Sequence, residues 1–302
     1  MEQEFIAFIS EKTGIKNLEL IEKDVLIHTI LTKLCSNERF ASNYLLKGGT
    51  CLVKCYFGYY RFSVDLDFTF PYIEDIKELS KKERRKLITR EVKGIARLLE
   101  DVSKDLGLIF KPFTNRKHNS EFVNFIGTEK RKTVIFNLKT KKEDVIKVEI
   151  TFFEKLLFEP KKVSARTLLS EISLSSQERF LYKKELEKYS PICVLAYSPE
   201  EILVEKIRAV FTRGHLKARD FYDVYILWKN GYNYRNFKNK AIEKIKSTPG
   251  IKIKNDIIEN ISKSENTLKA ELELFVMKID EKFWDFLKDF REFLKDLYKL
   301  CK

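Results

Sequence analysis

Apolar residues recur at three- and four-residue steps through residues 16–36, where Ile27, Ile30, Leu31 and Leu34 share one side and Leu20 lies a heptad before Ile27. The spacing predicts an amphipathic helix. A second stripe of Leu18, Ile21 and Val25 predicts burial on more than one side, and His28 within it reads as a helix-face residue rather than a ligand. Residues 44–46 form a short apolar strand, followed by Lys47-Gly48-Gly49-Thr50 and a helical stretch to Tyr56. The second half of 61–70 alternates polar and apolar positions, the two-residue period of a strand. A long helix is expected over 78–106. At about 100° per residue, Ile88, Val92, Ile95, Leu99, Val102 and Leu106 fall on one arc and Lys82, Lys86, Arg90, Lys93 and Arg97 on the opposite one.

Three strand-like segments follow at 121–126, 133–138 and 145–153, separated by the polar links GTEKRK and KTKKED, a pattern that predicts an antiparallel meander with basic turns. The stretch EPKKVS at 159–164 marks a boundary, dividing the chain into 1–158, with the strands, and a mainly helical 159–302. Beyond a short strand at 192–197, Ser198 reads as a helix cap, Pro199 as the first helical residue and Glu201 as the closing residue of a capping box. Residues 200–229 are expected to be helical with a break near Gly214. The tail over 270–300 carries Ile279, Phe283, Phe286, Phe290, Phe293, Leu297 and Leu300 on one stripe, read as core or helix-pair packing. The fold class is therefore α+β, and no internal repeat is present.

Composition narrows the class further. The 302 residues are 44% hydrophobic and 13% aromatic, too apolar for a disordered chain, and the low glycine and proline content excludes a collagen-like one. No apolar run approaches a membrane span and the first residues lack a leader pattern, so a soluble, cytoplasmic protein is expected. Five cysteines without a CxxC pair read as reduced packing residues.

The net charge of +13 is concentrated. Residues 81–93 hold seven bases against Glu83 and Glu91, and residues 111–142 hold nine against Glu121 and Glu129. These windows carry +12 between them, which favours a surface facing a polyanion; a solvated face is the alternative. Lys82, Lys86, Arg90, Lys93, Arg131 and Lys132 are the candidate nucleic-acid contacts.

Chemistry concentrates in residues 47–70. Asp65 and Asp67, two apart on a strand, leave the same face, and like charges held so close call for a cation between them. Mg²⁺ bound by carboxylates and substrate phosphates is the usual arrangement. Upstream, Gly48 and Gly49 lie between a strand and a helix, where backbone N–H groups and the helix dipole can hold phosphate oxygens. Glu149, between apolar neighbours on a later strand, is available as a third carboxylate; a solvent-facing strand residue is the alternative.

The order Gly-Gly, Asp-x-Asp and a later single acidic residue resembles the signature of the DNA polymerase β-like nucleotidyltransferases. More narrowly, IEKDVLIHTILTKL, LLKGGTCLVKCYFGYYRFSVDLDF and SPEEILVEKIRAVFTRGHLKARDFYDVYIL resemble successive blocks of the AbiEii/AbiGii toxin family, over about residues 18–230. The resemblance implies a mixed or antiparallel nucleotidyltransferase-type sheet flanked by helices, with a helical C-terminal part. It further implies transfer of a nucleoside monophosphate from an NTP to an acceptor, which for relatives includes the tRNA 3′ end, and action as the toxin of a toxin–antitoxin pair. Residue by residue, it places Gly48, Gly49 and Thr50 on the phosphate turn, Asp65 and Asp67 on a two-Mg²⁺ pair, and Ser63 and Arg61 in the same block. Lys206 falls on the lysine that meets the triphosphate, Asp220 on a later acidic position, and Arg213 and Arg219 on phosphate contacts. Glu149 would be a metal ligand or a general base. Two other readings remain open: transfer to a protein or small-molecule hydroxyl, and a nucleic-acid-binding protein without catalysis. For Glu205, Lys206, Arg219, Asp220 and Asp223 the alternative is ordinary surface ion pairing.

Overall fold

The computed structural model describes residues 3–71, 76, 78–114, 117–212, 217–247, 265–273, 276 and 278–301. The chain divides into two compact units. One comprises Met1–Phe153 with Lys162–Ala196, the other Glu154–Lys161 with Tyr197–Lys302. The chain thus crosses between the units more than once.

The first unit opens with helices α1 (Gln3–Thr13), α2 (Leu18–Cys35) and α3 (Glu38–Asn43), then strand β1 (Leu45–Lys47). A helix follows that is α-helical over Gly48–Cys51 (α4) and π-helical over Leu52–Phe57, then β2 (Asp65–Pro71) and the long α5 (Lys81–Leu106). Next come β3 (Phe113–Thr114), β4 (Lys117–His118), β5 (Val123–Thr128), β6 (Arg131–Lys139), β7 (Val145–Glu154), β8 (Lys161–Ala165), α6 (Ser176–Leu181), α7 (Lys183–Lys188) and β9 (Ile192–Ala196). Seven strands form one mixed sheet in the order β5-β6-β7-β2-β1-β9-β8. The meander β5-β6-β7 and the pair β1-β2 are antiparallel, and β1-β9 is parallel.

Local sequence explains where the elements begin and end. The Asn17 side chain caps α2 by accepting from Leu20 N, and Ser80 and Glu83 form a reciprocal capping box on α5, which closes at Gly107 in the left-handed region (φ 65). On the apolar arc of α5, Ile88, Val92, Ile95, Leu99 and Val102 are buried and Leu106 half-buried, while Lys82, Lys86, Arg90, Lys93 and Arg97 are exposed, as the angular pattern predicts. Helix α2 is buried on several sides, and His28 is fully buried, its Nε2 lying 2.7 Å from the Ser190 carbonyl oxygen. Burial, with Lys54 nearby, lowers the His28 pKa to about 4.

Two strand boundaries differ from the pattern. Strands β5 and β6 stay paired as far as Thr128 and Arg131, so the six-residue GTEKRK link shrinks to a two-residue hairpin turn. Gly127 permits this, with φ 88 and no room for a Cβ against the Arg131 carbonyl. Arg131 and Lys132 therefore lie within β6 rather than in a turn. Residues Lys161–Ala165, expected as linker, form edge strand β8, whose exposed lysines discourage further pairing.

The second unit contains α8 (Pro199–Thr212), α9 (Ala218–Lys229), a 3₁₀ turn (Tyr234–Phe237), α10 (Lys238–Ser247), α11 (Glu265–Glu273) and α12 (Lys282–Cys301). Glu201 N donates to Ser198 Oγ at 3.3 Å, the expected cap. The Glu201 side chain does not close the box: it accepts from Leu157 N at 2.7 Å and Phe158 N at 2.9 Å and meets Lys244 Nζ at 2.7 Å. The expected break near Gly214 lies outside the described residues. Helix α12 starts well after residue 270, and its Phe283, Phe286, Phe290 and Phe293 are buried, with Tyr234 packed edge-on against Phe290 at 4.9 Å and Phe293 at 4.8 Å. Each such ring stabilises the unit by about 1.5–3 kcal/mol through burial. Among the described residues, no helix is long and apolar enough to cross a membrane.

Candidate active site

Strand β2 separates its side chains as the two-residue period requires. Leu66 and Phe68 are fully buried, while Asp65 and Asp67 are half-buried on the other face. Phe40 of α3 packs edge-on against Phe68 at 5.0 Å, so the helices cover the Leu66/Phe68 side and the aspartates take the opposite one.

Register fixes what shares that face. Lys47 pairs with Asp67 across β1-β2, so both side chains leave the same side. Lys47 is 8% exposed, and its Nζ donates to Thr151 Oγ1 at 3.4 Å. Thr151 is two residues beyond Glu149 on β7, which brings Glu149, half-buried, onto the same face. The structure thus collects Asp65, Asp67 and Glu149 on one side of the sheet, together with Lys47, which the sequence pattern did not single out. Its signal was its place: a lone cation ending an apolar strand and leading into the glycine pair.

The glycine turn abuts this face. Gly48 has φ 72, and a Cβ there would lie 2.6 Å from Asp67 Oδ2. A Cβ on Gly49 would collide with the Arg61 guanidinium, which is 2% exposed and donates from Nη1 to the Phe62 carbonyl at 2.7 Å. The two glycines therefore admit the carboxylate and the guanidinium of the R-F-S-V-D-L-D segment against the first turn of α4. Lys47 provides no side-chain cap to that turn, so its amides and the positive end of the helix lie beside Asp67. Thr50 is fully buried; its Oγ1 lies 2.7 Å from Ser63 Oγ and 2.5 Å from the Asp65 carbonyl oxygen. Thr50, expected on the phosphate turn, thus also joins the helix, through Ser63 and the Asp65 carbonyl, to the start of β2.

A buried polar network holds this helix from below. Lys54 Nζ lies 2.7 Å from Asp24 Oδ1, and Tyr59 and Tyr189 donate to Asp24 Oδ2 at 3.0 and 2.6 Å. Burial pushes the Lys54 pKa down and those of both tyrosines up. Asp24 was legible only as one acidic residue in an otherwise apolar sector of α2.

In the second unit, Lys206 Nζ lies 2.6 Å from Asp220 Oδ1 and 2.7 Å from Asp223 Oδ2, and all three residues are buried. These are not surface ion pairs. Arg208 is buried beside them in sequence, its Nη1 3.2 Å from Glu154 Oε1 and its Nη2 2.9 Å from Glu205 Oε1. Arg213 lies outside the described residues.

The basic windows of the first unit meet. Glu129, in the β5-β6 turn, lies 3.1 Å from Lys81 Nζ and 3.6 Å from Arg85 Nη2 at the start of α5. Lys82, Lys86, Arg90 and Lys93 are exposed on α5, and Arg131 and Lys132 half-buried on β6. Lys132 Nζ lies 6.0 Å from the ring centre of Phe125, itself 43% exposed.

The fit to a metal follows from the donor set. Two carboxylates beside amide donors suit a hard cation that keeps waters and substrate phosphates in its shell, as Mg²⁺ does. Among the described residues, no three Asp, Glu, His or Cys side chains converge as a complete ligand group.

No curated protein matches the chain. Among solved structures, the chain is similar to an antigenic nucleotidyltransferase-like protein from Paracoccidioides brasiliensis, with 13% identity, a TM-score of 0.30, and coverage of 83% of this chain and 92% of that one. The family description "Nucleotidyl transferase AbiEii toxin, Type IV TA system" matches residues 29–299. The chain belongs to the AbiEii family of nucleotidyl transferase toxins.

Proposed function

We propose that the protein is a Mg²⁺-dependent nucleotidyltransferase that moves a nucleoside monophosphate from an NTP to an RNA end, in the tRNA 3′ class, as the toxin of a toxin–antitoxin pair in the cytoplasm. The observation that supports this reading is the close approach of Asp67 to the Gly48 turn, where a Cβ would lie 2.6 Å from Asp67 Oδ2, as expected if the helix start holds phosphate beside a carboxylate pair that holds a cation.

Asp65 and Asp67 hold the metal, and the amides of Gly48, Gly49 and Thr50 hold phosphate oxygens of the triphosphate. Two Mg²⁺ ions, if bound there, would supply charge to neutralise the triphosphate and to lower the pKa of the acceptor hydroxyl. The acceptor oxygen then forms a bond to the α-phosphorus in line with the leaving pyrophosphate. Glu149, on the same face, takes the proton that the acceptor releases. Lys47 holds positive charge on that face, between Asp67 and Thr151. Family likeness alone assigns Lys206 to the triphosphate; within its own unit Asp220 and Asp223 hold its ammonium. Ser63 is a further NTP contact assigned by family likeness, as is Arg213, which lies outside the described residues. The basic face of α5 and β6 receives the acceptor's phosphates, which a small-molecule acceptor would not require.

The test is incubation with each labelled NTP, Mg²⁺ and total RNA. Label in RNA is the expected outcome. Label in a protein or a small molecule would replace the acceptor class, and RNA binding without any label would reduce the protein to a binding module.

A further inference from the structure

On the helix-covered side of the first unit, α3 and α5 enclose a pocket of about 400 Å³. Four cations line it: Arg39 from α3, and Arg90, Lys93 and Arg97 from α5. Two of them are held in place. Glu91, 5% exposed, has Oε1 2.5 Å from Arg39 Nη2 and 3.2 Å from Arg90 Nη2, while Tyr44 donates to Oε2 at 3.0 Å. The two guanidiniums are themselves 63% and 68% exposed, so a buried carboxylate orients a pair of planar forks at the mouth of a cavity.

Gly94 stands in the same wall, inside α5. Glycine weakens a helix interior, and a Cβ here would meet nothing within 4 Å among the described residues. No described neighbour demands it. Its effect is to bare the helix backbone to whatever enters between the arginines.

We infer that this pocket clamps a backbone phosphate of the acceptor RNA, with Arg39 and Arg90 as the forks and Lys93 and Arg97 adding charge. This rests on the RNA-acceptor reading above. A free nucleotide or inorganic phosphate would satisfy the same groups; a polynucleotide is favoured because Lys82 and Lys86 continue the cationic line along the same helix. Tyr44 runs directly into β1, so the clamp lies roughly 13 Å along the strand from Gly48, at about 3.3 Å per residue, and on the face opposite the aspartates. It therefore grips the acceptor away from its reacting end. It acts on KM for RNA and not on kcat.

The experiment uses the full chain, a fluorescent structured RNA with a single-stranded 3′ end, and a salt series read by anisotropy. Arg39→Ala is expected to weaken RNA binding about tenfold near 0.1 M salt and to lower the log–log salt slope by about 1, with NTP affinity within twofold of wild type. Gly94→Glu, which removes no contact, is expected to weaken it at least as much. Unchanged RNA affinity and slope in both variants would overturn the clamp, even if wild type labels RNA. So would a loss of affinity confined to labelled NTP or inorganic phosphate. If wild type instead labels only a protein or small molecule and binds RNA no better than either variant, the acceptor reading falls and the clamp with it.

Discussion

The carboxylate face of the first unit and the ion-paired group of the second treat charge in opposite ways. On the sheet of the first, Asp65, Asp67 and Glu149 stand half-buried on one open face, beside a helix start. In the second, Lys206, Asp220 and Asp223 are sunk within an ion-paired group, as are Arg208, Glu154, Glu201 and Lys244. Burial separates the two kinds of role. A half-buried carboxylate can exchange water for a metal ion, whereas a fully enclosed ion pair is committed to its partners and its loss is felt by the fold.

The largest test of this contrast is removal of charge from the open face. Asp65→Asn or Asp67→Asn should lower transfer by about a thousandfold or more, on the order of 4 kcal/mol of barrier, while urea unfolding changes little. Turnover retained in both variants would place the chemistry elsewhere. The enclosed group should behave the other way round. Lys206→Met leaves Asp220 and Asp223 buried without that cation, and should destabilise the second unit by about 3–5 kcal/mol in urea titrations. A loss below about 1 kcal/mol would return the group to ordinary surface pairing.

A smaller effect concerns His28. Its folded pKa of about 4 lies below the usual 6.5, so the unfolded chain takes up a proton first as pH falls. The stability this residue contributes is complete above pH 6.5 and is lost between 6.5 and about 4, a span of roughly 3 kcal/mol. Asp24 and Lys54 share its surroundings, so the comparison should be with His28→Gln, in which that part of the pH slope disappears. Gly48→Ala should be the mildest: a side chain at φ 72 facing Asp67 Oδ2 costs about 1–3 kcal/mol and lowers transfer by displacing the carboxylate. Wild-type activity in that variant would mean the turn and Asp67 do not act together.

How much was legible in the sequence depended on whether the signal was local. The helix over Leu18–Cys35, the face of α5, the meander and the Asp65/Asp67 side of β2 follow from periodicity and were read correctly, because neighbours along the chain impose those patterns. Strand β8 was not, because an exposed edge rich in lysine looks like a linker. Glu201 was assigned to its own helix cap, yet its carboxylate answers to Leu157, Phe158 and Lys244, partners that only folding brings near. Lys47 and the Asp24–Lys54 pair escaped for the same reason: register and long-range burial give them their roles. The π-helical turn over Leu52–Phe57 has no sequence signature in the pattern of apolar positions.

The fit of Arg61 into the space left by Gly49 has a consequence for how this segment can vary. Neither position can be altered by itself: any side chain at 49 needs a shorter neighbour at 61, and a shorter residue at 61 opens a void that glycine cannot fill. The two sites form one heritable unit, and a library that randomises them jointly should return matched pairs, small with large, rather than independent preferences.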